Sequence, residues 1–166
     1  MSDQMIGRTF TLRKPSALSG VYELSEGSVV LARIRQSSWT RKATAEVNGE
    51  TWLLPARGMT SRRMTVTRQA TGELLAEVRG RHVWILGRPG YRWRRTGLWT
   101  GWAFADPDGR IVVSFTRLRG AWRPSLTVQA MSGDAYVDLL CAVLGSRLLM
   151  FRRQQNQSGH GGGGGS

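Results

Sequence analysis

The segment DAYVDLLCAVLGSRLLMF, residues 134–151, decides how this chain folds. Asp134 suits a helix cap, and Ala135, Tyr136, Val137, Leu139, Leu140, Cys141, Ala142, Val143 and Leu144 follow with only Asp138 between them. At helical spacing these side chains point in every direction, so the helix is apolar nearly all round. Such a helix is either surrounded by protein or sits in lipid. Spanning a bilayer takes about 20 apolar residues. The run here lasts about 17, to Phe151, and contains Asp138, Gly145 and Arg147. A helix enclosed by a β-barrel is therefore expected. Asp134 and Asp138, one turn apart near the positive end of the helix dipole, are stabilised there without any catalytic role.

Upstream of this segment the pattern is that of a sheet protein, with short runs rich in Val, Ile, Thr and aromatics separated by turn residues. Val21–Leu24 and Val29–Arg35 flank Ser25-Glu26-Gly27, and in the second run Val30, Ala32 and Ile34 alternate with Leu31, Arg33 and Arg35. Lys42–Val47 and Glu50–Leu54 flank Asn48-Gly49, the dipeptide that best tolerates a type I′ turn. Met64–Arg68 and Leu74–Val78 surround Ala70-Thr71-Gly72, and Val83–Leu86 and Tyr91–Arg95 surround Gly87-Arg88-Pro89-Gly90. Leu98–Ala105 and Arg110–Thr116 surround Asp106-Pro107-Asp108-Gly109, and Ser125–Ala130 adds a last strand. No helical period interrupts these runs before about residue 133, which disfavours βαβ units and a parallel sheet.

The length, 166 residues, suits one core rather than two. A single domain over 1–153 is expected, with its helix at about 134–151. Residues 154–166, of Gln, Asn, Ser, His and Gly beyond the last arginines, read as a disordered tail. Cys141 is the only cysteine, which excludes an intrachain disulfide and a cysteine-rich zinc site. The first 14 residues hold Asp3 and Gln4 and lack the apolar core of a secretory signal, so a cytoplasmic protein is expected.

Many short strands followed by a hydrophobic helix, over about residues 20–151, form a layout that resembles the tubby C-terminal-like families. These include the plant LURP-one-related proteins, the phospholipid scramblases and small bacterial members. The local phrases that carry the likeness are Gly72 to Val78 (GELLAEV), Asp108 to Ser114 (DGRIVVS), and Leu126-Thr127-Val128 leading into Asp134–Leu149. The resemblance implies a mainly β protein, an antiparallel barrel of about twelve strands threaded by the final helix. Its first strand would fall at Thr9–Leu12. Members bind phosphoinositide headgroups or act at membranes, but no headgroup-binding motif of theirs has a counterpart among these residues.

The formal net charge is +13, from 24 Lys and Arg against 11 Asp and Glu, and all but Lys14 and Lys42 of the cations are arginine. A charge of this size attracts polyanions, although an arginine bias can also reflect genome composition. Ten arginines fall between Arg57 and Arg95, against Glu73 and Glu77. Within this stretch Tyr91-Arg92-Trp93-Arg94-Arg95 mixes guanidinium donors with aromatic rings, as single-stranded nucleic-acid sites and interfacial lipid sites do. Arg62, Arg63, Arg88, Arg92, Trp93, Arg94 and Arg95 are the candidate residues for an anionic ligand. On a strand, Tyr91, Trp93 and Arg95 share one face and Arg92 and Arg94 the other, so core aromatics with a solvated arginine face is the plainer reading.

Catalysis finds no footing. Cys141 lies in the apolar helix, no serine sits in Gly-x-Ser-x-Gly, and no Gly-x-x-x-x-Gly-Lys loop occurs. Asp106 and Asp108 start like a calcium loop, but Arg117 stands where the closing glutamate belongs. His82 has no second histidine or partner cysteine for a zinc site. No cofactor or metal is expected. An enzyme would need carboxylates gathered from distant strands, such as Glu46, Glu50, Glu73 and Glu77. The leading expectation is a non-enzymatic barrel binding anionic phospholipid headgroups at the membrane surface, as a peripheral protein. A nucleic-acid-binding module and a protein-interaction or structural domain are the alternatives.

Overall fold

The computed structural model describes residues 7–16, 18–37, 42–57, 63–97, 101–117 and 125–158. Its strands are β1 (Arg8–Arg13), β2 (Val21–Glu26), β3 (Val29–Gln36), β4 (Ala43–Val47), β5 (Glu50–Leu53), β6 (Ala56–Arg57), β7 (Arg63–Arg68), β8 (Leu74–Arg79), β9 (His82–Ile85), β10 (Arg88–Thr96), β11 (Gly101–Ala105), β12 (Ile111–Arg117) and β13 (Leu126–Ala130), followed by helix α1 (Ala135–Ser158). Neighbours in space are mostly neighbours in sequence, because each turn cluster folds its two runs back as an antiparallel hairpin. The chain thus meanders β1 to β5 and β7 to β13, with β1 pairing β13 and the two-residue β6 lying beside β7. The ring closes where Trp52 pairs Arg68 and Leu53 pairs Thr67, leaving a twelve-strand barrel.

The expected hairpins form, with two shifts: Ser25 and Glu26, expected in a turn, extend β2 and pair Val30 and Val29, so that turn is Gly27-Ser28. Gly87 to Gly90 was expected to be the turn between the ninth and tenth strands. The turn is instead Leu86-Gly87, and Arg88, Pro89 and Gly90 belong to β10, with a bulge between Arg88 and Tyr91. A proline disrupts a ladder least at a bulge, where its missing N–H costs no hydrogen bond.

Every residue of α1 from Leu139 to Leu148 is buried, which leaves no side of that stretch open to water. The barrel therefore encloses the helix, and the apolar perimeter read from the sequence is its contact with the inward side chains of the strands. Asp134 caps the helix start, accepting from the N–H groups of Tyr136 (2.9 Å) and Val137 (3.2 Å). Asp138, only 2% exposed, accepts from the Ser132 N–H at 3.0 Å and from the Ser132 hydroxyl, which ties the helix to the end of β13. Asp138→Ala should cost about 1 kcal/mol, because the part-buried Ser132 N–H would lose its acceptor. Urea unfolding measures this, and a cost near zero would show the tie to be dispensable. The helix continues to Ser158, past the boundary expected near 151, and no helix among the described residues is long and apolar enough to cross a membrane.

At the closing seam, Arg68 donates to Glu50 (3.2 Å), to Glu73 and to the Tyr136 hydroxyl (3.0 Å). The Trp52 indole donates to the same Glu50 carboxylate at 3.1 Å, and its ring meets Tyr136 edge-on. The indole and then Arg68 hold the Glu50 carboxyl below its usual range. One arginine thus links the last paired strands to the first turn of the helix.

Candidate functional site

Charge is sorted around the barrel. Among the described residues all ion pairs lie on β1–β8 and their turns: Arg8–Glu26, Arg33–Glu23, Arg35–Glu46, Arg68 with Glu50 and Glu73, and Glu77 with both Arg63 and Arg79. Cross-strand neighbours on an outer face place these partners in reach. From Arg81 to Arg117 there are seven arginines, Arg81, Arg88, Arg92, Arg94, Arg95, Arg110 and Arg117, against Asp106 and Asp108. None of the seven forms an ion pair with a described carboxylate, and Asp106 already accepts from the Arg110 N–H at 2.9 Å.

Register sets how these arginines are presented. On β10 the even positions face out, so Arg92 stands opposite Ala105 and Arg94 opposite Ala103 on β11. The small alanines leave room beside the two guanidinium stems. Arg92 also pairs with His82 on β9, and Trp93 N–H donates to the Arg81 carbonyl at 2.9 Å, which brings the β8–β9 turn alongside. Arg81, Arg92 and Arg94 together line a cleft of about 540 Å³. Its far wall is the turn from Asp106 to Gly109, where Arg94 donates to the Gly109 carbonyl at 3.4 Å. Gly90 shapes the floor. It has φ +97°, and a Cβ there would lie 2.9 Å from Cγ of Pro107, so neither its backbone nor its space suits another residue.

Three arginines against the one Asp106 carboxylate give the cleft a net positive lining that suits an oxyanion, since each guanidinium offers a planar fork of donors that matches phosphate or carboxylate. Of the residues expected from sequence, Arg92 and Arg94 form this cleft. Arg88 is exposed at the start of β10 and reaches the Tyr91 hydroxyl, and Arg95, which strand parity puts on the face of Trp93, is instead exposed, because it lies near the end of the strand. Arg63 lies on β7 and is engaged with Glu77 at 3.2 Å, away from the cleft. Arg62 lies outside the described residues.

Trp93 is 4% exposed, stacked on Trp102 at 5.1 Å and packed against Phe104 at 4.6 Å and Phe115 at 5.6 Å. Its inward parity on β10 buries most of the ring in the core, as the plainer reading of the aromatic alternation expects, although Trp93 also lines the cleft beside Arg92 and Arg94. Arg81 was missed because it lies in a turn, eleven positions before Arg92 in sequence; only the β9–β10 pairing register joins them.

Of the four carboxylates that could have formed a catalytic pocket, Glu46 and Glu50 line one cleft of about 400 Å³ together with Arg33, and all four are engaged by arginine. Glu46 pairs Arg35, Glu77 pairs Arg63 and Arg79, and Glu50 and Glu73 meet only across the Arg68 guanidinium. Burial pushes the Cys141 thiol far above its usual range, with Asp138 adding to the effect, and leaves it protonated and inert. Arg147, fully buried in the helix, is lowered by burial to about 10 and so stays charged at neutral pH.

The barrel is similar to a solved plant protein. That Arabidopsis thaliana protein, known from its X-ray structure, superposes with a TM-score of 0.57 at 15% identity, covering 84% of this chain and 90% of its own. At that identity the likeness establishes a shared fold alone. No protein-family model and no curated protein matches the chain.

Proposed function

We propose that this chain is a non-enzymatic barrel of the tubby C-terminal-like kind that binds anionic phospholipid headgroups at a membrane surface, as a peripheral cytoplasmic protein. The observation that carries the reading is the segregation of charge: on β1–β8 Arg8, Arg33, Arg35, Arg63, Arg68 and Arg79 are paired with glutamates and Arg13 with no described carboxylate, whereas none of the seven arginines from Arg81 to Arg117 pairs one. A solubility role alone would not need one side matched and the other bare. The cleft between Arg81, Arg92 and Arg94 supplies the place for a headgroup phosphate. Trp93 is only 4% exposed, which leaves little ring for a base to stack on and favours the lipid reading over the nucleic-acid one.

The test is co-sedimentation with neutral and with acidic vesicles near physiological salt. The chain should pellet with the acidic vesicles only, and binding should weaken as salt screens the arginines. An arginine near an anionic surface contributes about 1 kcal/mol, so Arg81→Ala with Arg92→Ala and Arg94→Ala should weaken binding by at least about tenfold. Arg33→Ala, in a matched pair, serves as the control. Equal pelleting with neutral vesicles, or a triple variant that binds as the wild type does, would sink the proposal.

A further inference from the structure

Two hairpins of this barrel use the same two-residue turn with different chemistry. Asn48-Gly49 joins β4 to β5 with φ of 47° and 80°, and Leu86-Gly87 joins β9 to β10 with φ of 49° and 74°. In each the flanking residues pair directly, Val47 with Glu50 and Ile85 with Arg88. Positive φ at both central positions is the type I′ turn. Asparagine tolerates that backbone, whereas in leucine the Cβ crowds the following carbonyl. Asn48 and Leu86 are the non-glycine residues with positive φ among the described residues.

Nothing in the core explains the leucine. Leu86 is 39% exposed, and Leu74, on the neighbouring strand β8, is 49% exposed. The Leu86 N–H donates to the carbonyl of the buried Leu75 at 2.8 Å, which brings Leu86 beside the strand end that carries the exposed Leu74. Backbone strain kept at an exposed position points to use rather than to packing. The neighbourhood indicates what use. Arg88 follows the turn directly, and Arg92 and Arg94 lie about 13–20 Å further along the same strand at about 3.3 Å per residue. An apolar tip on a basic strand is how peripheral proteins engage anionic bilayers, the apolar part entering about 5–10 Å while the cations stay among the headgroups.

We infer that Leu86, with Leu74, is an apolar wedge that enters the acyl boundary of an anionic bilayer while Arg92 and Arg94 hold headgroups. The inference rests on the membrane-surface reading above and adds the orientation of docking: the β9–β10 hairpin lies along the bilayer surface, with Leu86 at one end of the contact and Arg92 and Arg94 at the other.

The test is Leu86→Asn in the full chain, because its two expected effects have opposite signs. Asparagine relieves the turn, so the urea midpoint should rise. Partition onto phosphatidylcholine vesicles containing acidic lipid should fall about fivefold, the loss expected from withdrawing one half-exposed leucine from an apolar phase. A variant that misfolds could not produce that pair of results. Vesicle binding equal to wild type overturns the wedge, as does a lowered midpoint, which would show that Leu86 is kept for the fold. Either result leaves the arginine reading intact if the Arg81, Arg92 and Arg94 variant still releases the vesicles. A wild-type chain that ignores acidic vesicles removes both.

Discussion

Trp93→Ala is expected to cost about 3–5 kcal/mol, a large share of the whole stability of a domain this size. The ring is enclosed by Trp102, Phe104 and Phe115, with centroids 5.1, 4.6 and 5.6 Å away, and the Trp102 stack is nearly parallel at 18°. Truncation removes the transfer free energy of the indole, leaves a cavity, and deletes aromatic contacts each contributing about 0.5–1.5 kcal/mol beyond burial. The strands cannot collapse into the gap, because β10 is hydrogen-bonded on both sides, to β9 and to β11. Urea unfolding followed by far-ultraviolet circular dichroism measures the cost, and Trp93→Phe should recover a good part of it. A cost below about 1 kcal/mol would mean the ring is not enclosed. Any loss of ligand binding in Trp93→Ala must therefore be read beside its stability.

Gly145→Ala should also destabilise, against the usual sign of that substitution. In an exposed helix interior alanine is favoured over glycine by about 1 kcal/mol. Here an added Cβ would lie 2.1 Å from Cζ and 2.5 Å from Cε2 of Phe115, and 3.0 Å from Cε2 of Phe104. Both rings belong to the packed aromatic cluster and have little room to turn. Overpacking of this kind costs about 1–3 kcal/mol, enough to outweigh the helix preference. Adding Phe115→Leu to Gly145→Ala should cost less than the sum of the two single changes, since the smaller side chain makes space for the methyl. A stabilised Gly145→Ala protein would show that the helix does not approach β12 this closely.

Legibility followed the range of the interactions. Asn48-Gly49 and the Asp106–Gly109 turn are local devices, and both hairpins form where they were expected. The β9–β10 turn lies at Leu86-Gly87 although Pro89 and Gly90 are strong turn residues and Leu86 a poor one, because a bulge between Arg88 and Tyr91 takes Pro89 and Gly90 into the strand. Strand parity put Arg92 and Arg94 outside and Trp93 inside. It could not tell that Arg63 is matched by Glu77 while Arg92 is not, because ion pairing depends on which strands become neighbours.

The amino-acid sequence by itself determined that strands would be joined in hairpins and that the last segment would be a helix with no polar side, since capping, turn chemistry and periodicity act over a few residues. The tertiary structure alone decided that the ring closes through Trp52 and Arg68, that Arg81 joins Arg92 and Arg94 around one cleft, and that Gly145 lies against Phe115. Those meetings join segments far apart in the chain, and their register is chosen by the enclosed helix and the packing of the whole core rather than by any local run of residues.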